Sequence, residues 1–154
     1  MLTEIKVKST KEPNYKMYYQ IEEHCIYYNV DIIKNSASDF NLDFEDYFKI
    51  IFCHELGHAL DKNLQKNHQL VNGLLQRIKE NPISRLNKQY LNDIKNINIK
   101  NEQKAWENAS GLIDASLKSS FDKVKEDSLS RVKEIAKLEM ENMRLKILNA
   151  IQGN

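Results

Sequence analysis

The chain has 154 residues, of which 41% are hydrophobic and 29% are charged, so it can build one compact domain with a charged surface. Its net charge of +1 provides no overall basic field, which argues against direct binding to nucleic acid or to a membrane surface. No stretch approaches the roughly 20 apolar residues that span a bilayer, and the N-terminal residues lack the apolar core of a signal peptide. Because Cys25 and Cys53 do not make a disulfide framework, we expect a cytoplasmic protein.

The first third of the chain is predicted to form a small antiparallel sheet. Residues 3–8 alternate between apolar and charged side chains, which indicates a strand. Residues 15–21 and 25–33 are rich in Tyr, Ile and Val and are predicted to form a hairpin around residues 22–24, although 15–21 also fits a short helix. Residues 35–41 are polar and are predicted to form a loop.

A buried helix is predicted to begin after Asp43, which is a good N-cap residue and is followed by Asp46 three positions later. Apolar residues then recur at helical spacing over most of the circumference, which is typical of a helix at the centre of a fold. They are Phe44, Phe48, Ile51, Phe52, Leu56 and Ala59.

The rest of the chain is predicted to be helical, in keeping with its content of only 4 Gly and 2 Pro. Residues 61–100 have the pattern of an insert of one or two helices, broken at Asn81-Pro82. A further helix is predicted to start near Asn101, and one long helix is predicted from about Leu117.

These elements predict an α+β, helix-dominated fold in which a small antiparallel sheet packs on the helix that follows Asp43. We expect a domain over residues 1–115, which contains the helical insert at about 61–100. An amphipathic C-terminal helix over residues 116–154 follows it.

The C-terminal helix carries a narrow apolar seam of the kind that coiled coils use, with charged residues on both flanks. The seam consists of Leu129, Val132, Ala136, Met140, Met143, Ile147 and Ile151. It could pack back on the domain, self-associate or recognise a partner. We expect an extended helix that pairs, which predicts a homo-oligomer formed through this helix.

The residues that carry chemistry are His54-Glu55-Leu56-Gly57-His58, an H-E-x-x-H motif inside the predicted buried helix. Positions i and i+4 lie on one face of a helix, so His54 and His58 can bind one Zn²⁺. Glu55 lies about 100° around the helix from His54, where it can reach a reacting water without binding the metal. The motif therefore predicts Glu55 as the general base of a zinc hydrolase.

A third metal ligand is required, and three carboxylates are candidates. Asp61 is nearest in the sequence but lies only one turn beyond the motif. Glu102 shares a helical face with Ala105 and Trp106, which indicates close packing against the helix of the motif, whereas Glu107 lies off that face. We expect Glu102, with Glu107 as the alternative.

The pattern His54-Glu55-Leu56-Gly57-His58-Ala59-Leu60 followed by Glu102-x-x-Ala105-Trp106 resembles the gluzincins, and among them the ImmA/IrrE-type metallopeptidases of bacteria, phages and mobile elements. The resemblance covers roughly residues 25–110. It implies a minimal zincin-like domain in which His54, His58 and Glu102 bind zinc and Glu55 is the catalytic base. Lys104 and Trp106 stand where the family usually has a second Glu and an Asn.

The resemblance implies site-specific cleavage of an intracellular protein, often a helix-turn-helix repressor. The predicted strand 25–33 would offer its edge to an extended peptide substrate, and Tyr27, Tyr28 and Tyr90 are candidates by residue type for stabilising the oxyanion. One alternative is a zinc-containing regulatory or binding module without turnover that acts through its C-terminal helix. Another is a helical interaction protein in which the motif is fortuitous.

Overall fold

Helices dominate the structure, as the small number of glycines and prolines predicts. The computed structural model describes residues 4–153, and the predicted helix-dominated α+β fold is confirmed. Its strands are β1 (Lys6–Ser9), β2 (Met17–Gln20) and β3 (Cys25–Tyr28). Its helices are α1 (Val30–Asp39), α2 (Phe44–Ala59), α3 (Leu64–Glu80), α4 (Asn87–Ser110) and α5 (Lys118–Gln152), with a 3₁₀ turn at Ala115–Leu117.

The three strands form a mixed sheet in the order β1-β3-β2, rather than the antiparallel sheet that we expected. The predicted hairpin is confirmed, since β2 runs antiparallel to β3. However, β1 runs parallel to β3, because the connection before β2 reverses the chain once and the hairpin reverses it again. Residue 3 of the predicted first strand lies outside the described residues.

The strand predicted over 25–33 is confirmed only for residues 25–28, and the loop predicted over 35–41 is wrong, because α1 occupies residues 30–39. Asn29 is the cause, since its side-chain oxygen accepts hydrogen bonds from the backbone N–H groups of Asp31 and Ile32 and so starts a helix. Ile33 and Ala37, which are one turn apart, then bury the inner face of that helix.

The buried helix predicted after Asp43 is confirmed as α2. The Asp43 side chain accepts a hydrogen bond of 2.8 Å from the backbone N–H of Asp46, as an N-cap should. The most buried stripe of α2 runs through Tyr47, Ile50, Ile51 and His54. The three phenylalanines lie on another side of the helix and stack on one another along it; they are Phe44, Phe48 and Phe52.

By its internal contacts the chain divides into two units. The first contains the residues up to 62 together with 104–126, and the second contains 63–103 together with 127–154. In the first unit, α2 packs against β2 and α1. The boundary after Gln103 falls within α4, which is continuous from Asn87 rather than starting near Asn101.

The second unit is a packed group of helices around an apolar cluster of Leu74, Ile78, Leu91 and Ile94. The seam predicted on the C-terminal helix largely packs against this cluster, through residues of α5 that we call the inner stripe: Ala136, Met140, Met143 and Ile147. A second set of large apolar side chains on α5 is exposed, and we call it the outer stripe. It consists of Ile135, Leu138, Leu145 and Leu148.

Candidate metal centre

The two histidines of the H-E-x-x-H motif lie one turn apart near the end of α2, with ring centroids 4.7 Å apart. His54 is only 9% exposed and Glu55 only 7% exposed. Burying an imidazole and a carboxylate side by side is unfavourable unless both have partners. The contacts of these two side chains therefore show how the cost of their burial is offset.

Gly57, between the two histidines, is the point at which α2 and α4 touch. A Cβ atom at this position would lie 2.0 Å from the carbonyl oxygen of Ala105, so no larger residue fits without moving a backbone. Beside this contact, the Asn108 side-chain amide donates a hydrogen bond of 2.9 Å to the carbonyl oxygen of Gly57. These two contacts fix α4 against α2 in both distance and register.

This register brings the predicted third ligand to the histidines. The ligand atoms of His54, His58 and Glu102 all lie within 4.8 Å of one another, so the three residues could hold a metal ion. Glu102 is three residues before Ala105 on the same continuous helix, so the Gly57 contact determines its position. Among the described residues, the cluster includes neither Asp61 nor Glu107.

The rejected candidate Glu107 has a different environment. Its carboxylate is exposed and pairs with Lys104, three residues earlier on α4, at 3.0 Å. An exposed helical pair of this kind contributes little to stability and places no constraint on a neighbouring helix. Glu107 therefore provides a matched control for Glu102 in experiments on metal binding.

Glu55 is held away from the ligand cluster by the sheet. One carboxylate oxygen, Oε2, accepts a hydrogen bond of 3.0 Å from the backbone N–H of Tyr19 in β2. The other, Oε1, lies 3.3 Å from Nδ1 of His54. The carboxylate is thus buried and oriented beside a candidate ligand while lying outside the candidate cluster, a position suited to a general base.

Trp106 forms one wall of the centre. Its indole stacks on the His54 ring with centroids 4.3 Å apart and an interplanar angle of 19°, and it packs edge-on against Phe121. Because Trp106 is only 2% exposed, it restricts the orientation of His54 and keeps solvent from one side of it. At the position where the ImmA/IrrE-type family usually has an Asn, this chain therefore has an aromatic contact to His54.

The three tyrosines considered for the oxyanion have other contacts. Tyr27 stacks on Tyr18 and donates a hydrogen bond to Glu23, while Tyr28 packs on Phe48. Tyr90 belongs to the second unit and packs against its apolar cluster.

The tyrosine linked to Glu55 is Tyr19, which we did not predict. Its hydroxyl lies 2.5 Å from Nδ1 of His24, and burial raises the pKa of its phenol. The alternation of residues 17–20 could have placed Met17 and Tyr19 on one face of the strand. Their contact with α2, however, depends on tertiary packing.

Comparison with protein-family models, with curated proteins and with solved structures finds no match in any of the three. Among residues 4–153, no helix is long and apolar enough to cross a membrane.

Proposed function

We propose that the chain is a zinc-dependent endopeptidase that hydrolyses a peptide bond in a specific protein of the cytoplasm. The observation that carries this proposal is the convergence of His54, His58 and Glu102, while Glu55 is bound to β2 instead. The ImmA/IrrE resemblance suggests a repressor as the kind of substrate. Cys25 and Cys53 are free, which fits a reducing compartment.

The ligand set supports zinc as the metal. Two imidazoles and one carboxylate are typical of catalytic zinc, where three protein ligands leave a fourth position for water or substrate. Structural zinc sites instead use four protein ligands, most often including cysteine. When bound, zinc supplies a Lewis acid that lowers the pKa of water and polarises a carbonyl group.

The residues of the chain then have distinct roles. Glu55 accepts a proton from the attacking water and passes it to the leaving amine. The backbone N–H of Tyr19 orients this carboxylate, and the stacked Trp106 orients the His54 ring. The closely packed helices on either side of Gly57 hold Glu102 opposite the histidines.

The strand available to an extended peptide substrate is β2 rather than β3. Because β3 lies between β1 and β2, both of its edges are paired, whereas β2 is at the edge of the sheet. We propose that a substrate segment adds to β2, beside the Tyr19–Glu55 hydrogen bond. Cleavage would then occur next to the general base.

The first test is the zinc content per chain, measured by elemental analysis on wild type, Glu102→Ala and Glu107→Ala. We expect about one zinc in wild type and in Glu107→Ala, and much less in Glu102→Ala, because removing one of three ligands weakens binding. Equal zinc content in all three proteins would contradict the assignment of Glu102. No zinc in any of them, after purification without chelators, would contradict a zinc enzyme.

The second test separates the general base from the metal site. We expect zinc-loaded Glu55→Gln to keep its metal and to cleave a diverse peptide library about 10²–10⁴ times more slowly than wild type. New peptide termini, counted by mass spectrometry, provide the measurement. Equal cleavage by both proteins would contradict the role of Glu55.

The alternative is a zinc-containing binding module that acts through its C-terminal helix without turnover. The exposed outer stripe of α5 favours it, because such a surface is suited to a partner. A Glu55→Gln variant that retained full biological effect would support this alternative over the peptidase.

A further inference from the structure

The helix α5 carries apolar residues on two opposite sides, and only one side is covered within the second unit. On the inner stripe, Met140 and Met143 pack on the cluster around Leu91 and Ile94. On the outer stripe, Leu138 is 63% exposed, although it lies roughly opposite Met140 on the helix. Its companions are nearly as exposed: Ile135 51%, Leu145 51% and Leu148 48%.

The size of the outer stripe matches an interface rather than scattered surface residues. If covering each half-exposed side chain removes on the order of 100 Å² of apolar surface, four of them give about 400 Å² per chain. Two such stripes facing each other would bury about 800 Å² from these side chains alone, and the charged side chains beside them add to this area, which brings it toward the lower limit of a specific interface. A second copy of this chain is therefore an occupant of the right size.

The charges beside the stripe identify the arrangement. The sequence Glu134-x-x-Lys137-Leu138 recurs seven residues later as Glu141-x-x-Arg144-Leu145, so both sets lie on the same face of α5. All four charged side chains are exposed, and they form an alternating row of acid, base, acid and base along one flank.

In an antiparallel pair of helices, this flank meets the same flank of the partner. With the two-fold axis near residue 139, Glu134 of one chain lies level with Arg144 of the other, and Lys137 lies level with Glu141. The apolar residues meet within about two residues of this register, with Leu138 beside Leu138 and Leu145 beside Ile135. A parallel pair would instead place the charged row against the other flank, where Ile135, Asn142 and Asn149 stand beside Glu139 and Lys146 and no such alternating row is present.

We propose that the chain forms a symmetric dimer through the outer stripe, with two α5 helices antiparallel about residue 139. This differs from the seam that the sequence pattern predicted, because the second unit itself covers most of that seam. The dimer interface is independent of the metal-binding residues, so its test does not depend on the proposed peptidase.

The test uses two charge variants of the full chain and light scattering over a concentration series. Glu134→Lys with Glu141→Lys makes the row wholly basic, and Lys137→Glu with Arg144→Glu makes it wholly acidic. We expect wild type to be dimeric at micromolar concentrations and each variant alone to have a dimer Kd at least tenfold higher. Mixing the two variants should restore the dimer mass, because every pair across the interface then has opposite charges.

Each outcome decides the proposal. Because all four side chains are exposed, we expect both variants to retain the wild-type circular dichroism spectrum. A wild type that stays monomeric to several hundred micromolar would overturn the dimer and would leave a different partner for the stripe. The antiparallel arrangement would be overturned if wild type is dimeric but each charge variant also dimerises alone. It would also be overturned if the two variants do not combine when they are mixed.

Discussion

The two units of the chain depart from ordinary protein packing in opposite ways. The first unit buries an imidazole and a carboxylate, His54 and Glu55, against a backbone N–H and an indole ring. The second unit has a conventional apolar core but leaves large side chains of the outer stripe in contact with solvent. Polar groups inside the protein and a row of apolar groups outside it are both unfavourable in isolation.

We propose that the two units serve two kinds of recognition. A buried polar cluster is stable when its members have partners, and here the partners also orient the Glu55 carboxylate beside three side chains that could hold a metal ion. An exposed apolar stripe is stabilised only when another surface covers it. We therefore expect the chemistry to depend on His54, Glu55 and His58 together with Glu102, and assembly to depend on the outer stripe.

The largest expected effect is that of Gly57→Ala in the first unit. The added methyl group would lie 2.0 Å from the Ala105 carbonyl oxygen, so α4 must move away from α2. We expect a loss of about 3 kcal/mol in the free energy of unfolding and a loss of zinc binding, because α4 carries Glu102. Urea denaturation and zinc titration provide the two measurements.

Gly73→Ala is the matched control in the second unit. Apart from its own helix backbone, nothing lies within 4 Å of the Cβ position at Gly73, which is inside α3, so the helix should gain about 0.5–1 kcal/mol of stability. Zinc binding should not change. Similar effects of the two substitutions would contradict the idea that one glycine is required for close packing and the other is not.

The second test compares the two stripes of α5. Met140 packs on the apolar cluster of the second unit, so Met140→Ala should reduce the free energy of unfolding by about 2 kcal/mol. Leu138 is 63% exposed, and Leu138→Ala should change it by no more than about 0.5 kcal/mol when the chain is dilute. Urea unfolding at low concentration measures both changes, and a reversed order would contradict the assignment of the stripes.

The features that could be predicted from the sequence are those that neighbouring residues determine. Asp43 marks the start of α2, and His54, Glu55 and His58 follow at fixed helical positions. The spacing of Glu102, Ala105 and Trp106 on one helical face identified the residue that the structure brings to the two histidines. The catalytic role of Glu55 remains a prediction.

What could not be predicted depends on contacts between distant parts of the chain or on short-range signals that compete. Asn29 outweighs the strand propensity of the residues that follow it, because its cap forms with the next two backbone N–H groups. The direction of β1 depends on two chain reversals, and the Tyr19–Glu55 hydrogen bond joins residues 36 positions apart. The outer stripe was missed because charged residues separate its members.

A smaller effect is expected from Asn108→Ala, which removes the hydrogen bond to the Gly57 carbonyl oxygen but leaves the close packing intact. We expect a loss of about 1 kcal/mol in the free energy of unfolding and a modest loss of zinc affinity. Trp106, the only tryptophan, stacks on His54, so its fluorescence can report zinc binding in both proteins. Asn149→Ala, at an exposed position of α5, is the control and should change neither quantity.

The smallest expected effect is on the free energy of unfolding at alkaline pH, and it concerns a tyrosine of the first unit. Burial raises the pKa of the Tyr19 phenol above its ordinary value of 10.0, so the folded protein holds this proton more tightly than the unfolded chain. This contribution to stability is fully present below pH 10 and is lost as the pH rises through the folded-state pKa. In urea unfolding between pH 9 and 11, Tyr19→Phe should therefore lose less stability than wild type does. A Tyr19→Phe variant that lost as much stability as wild type over this range would contradict a role of the half-buried Tyr19 phenol.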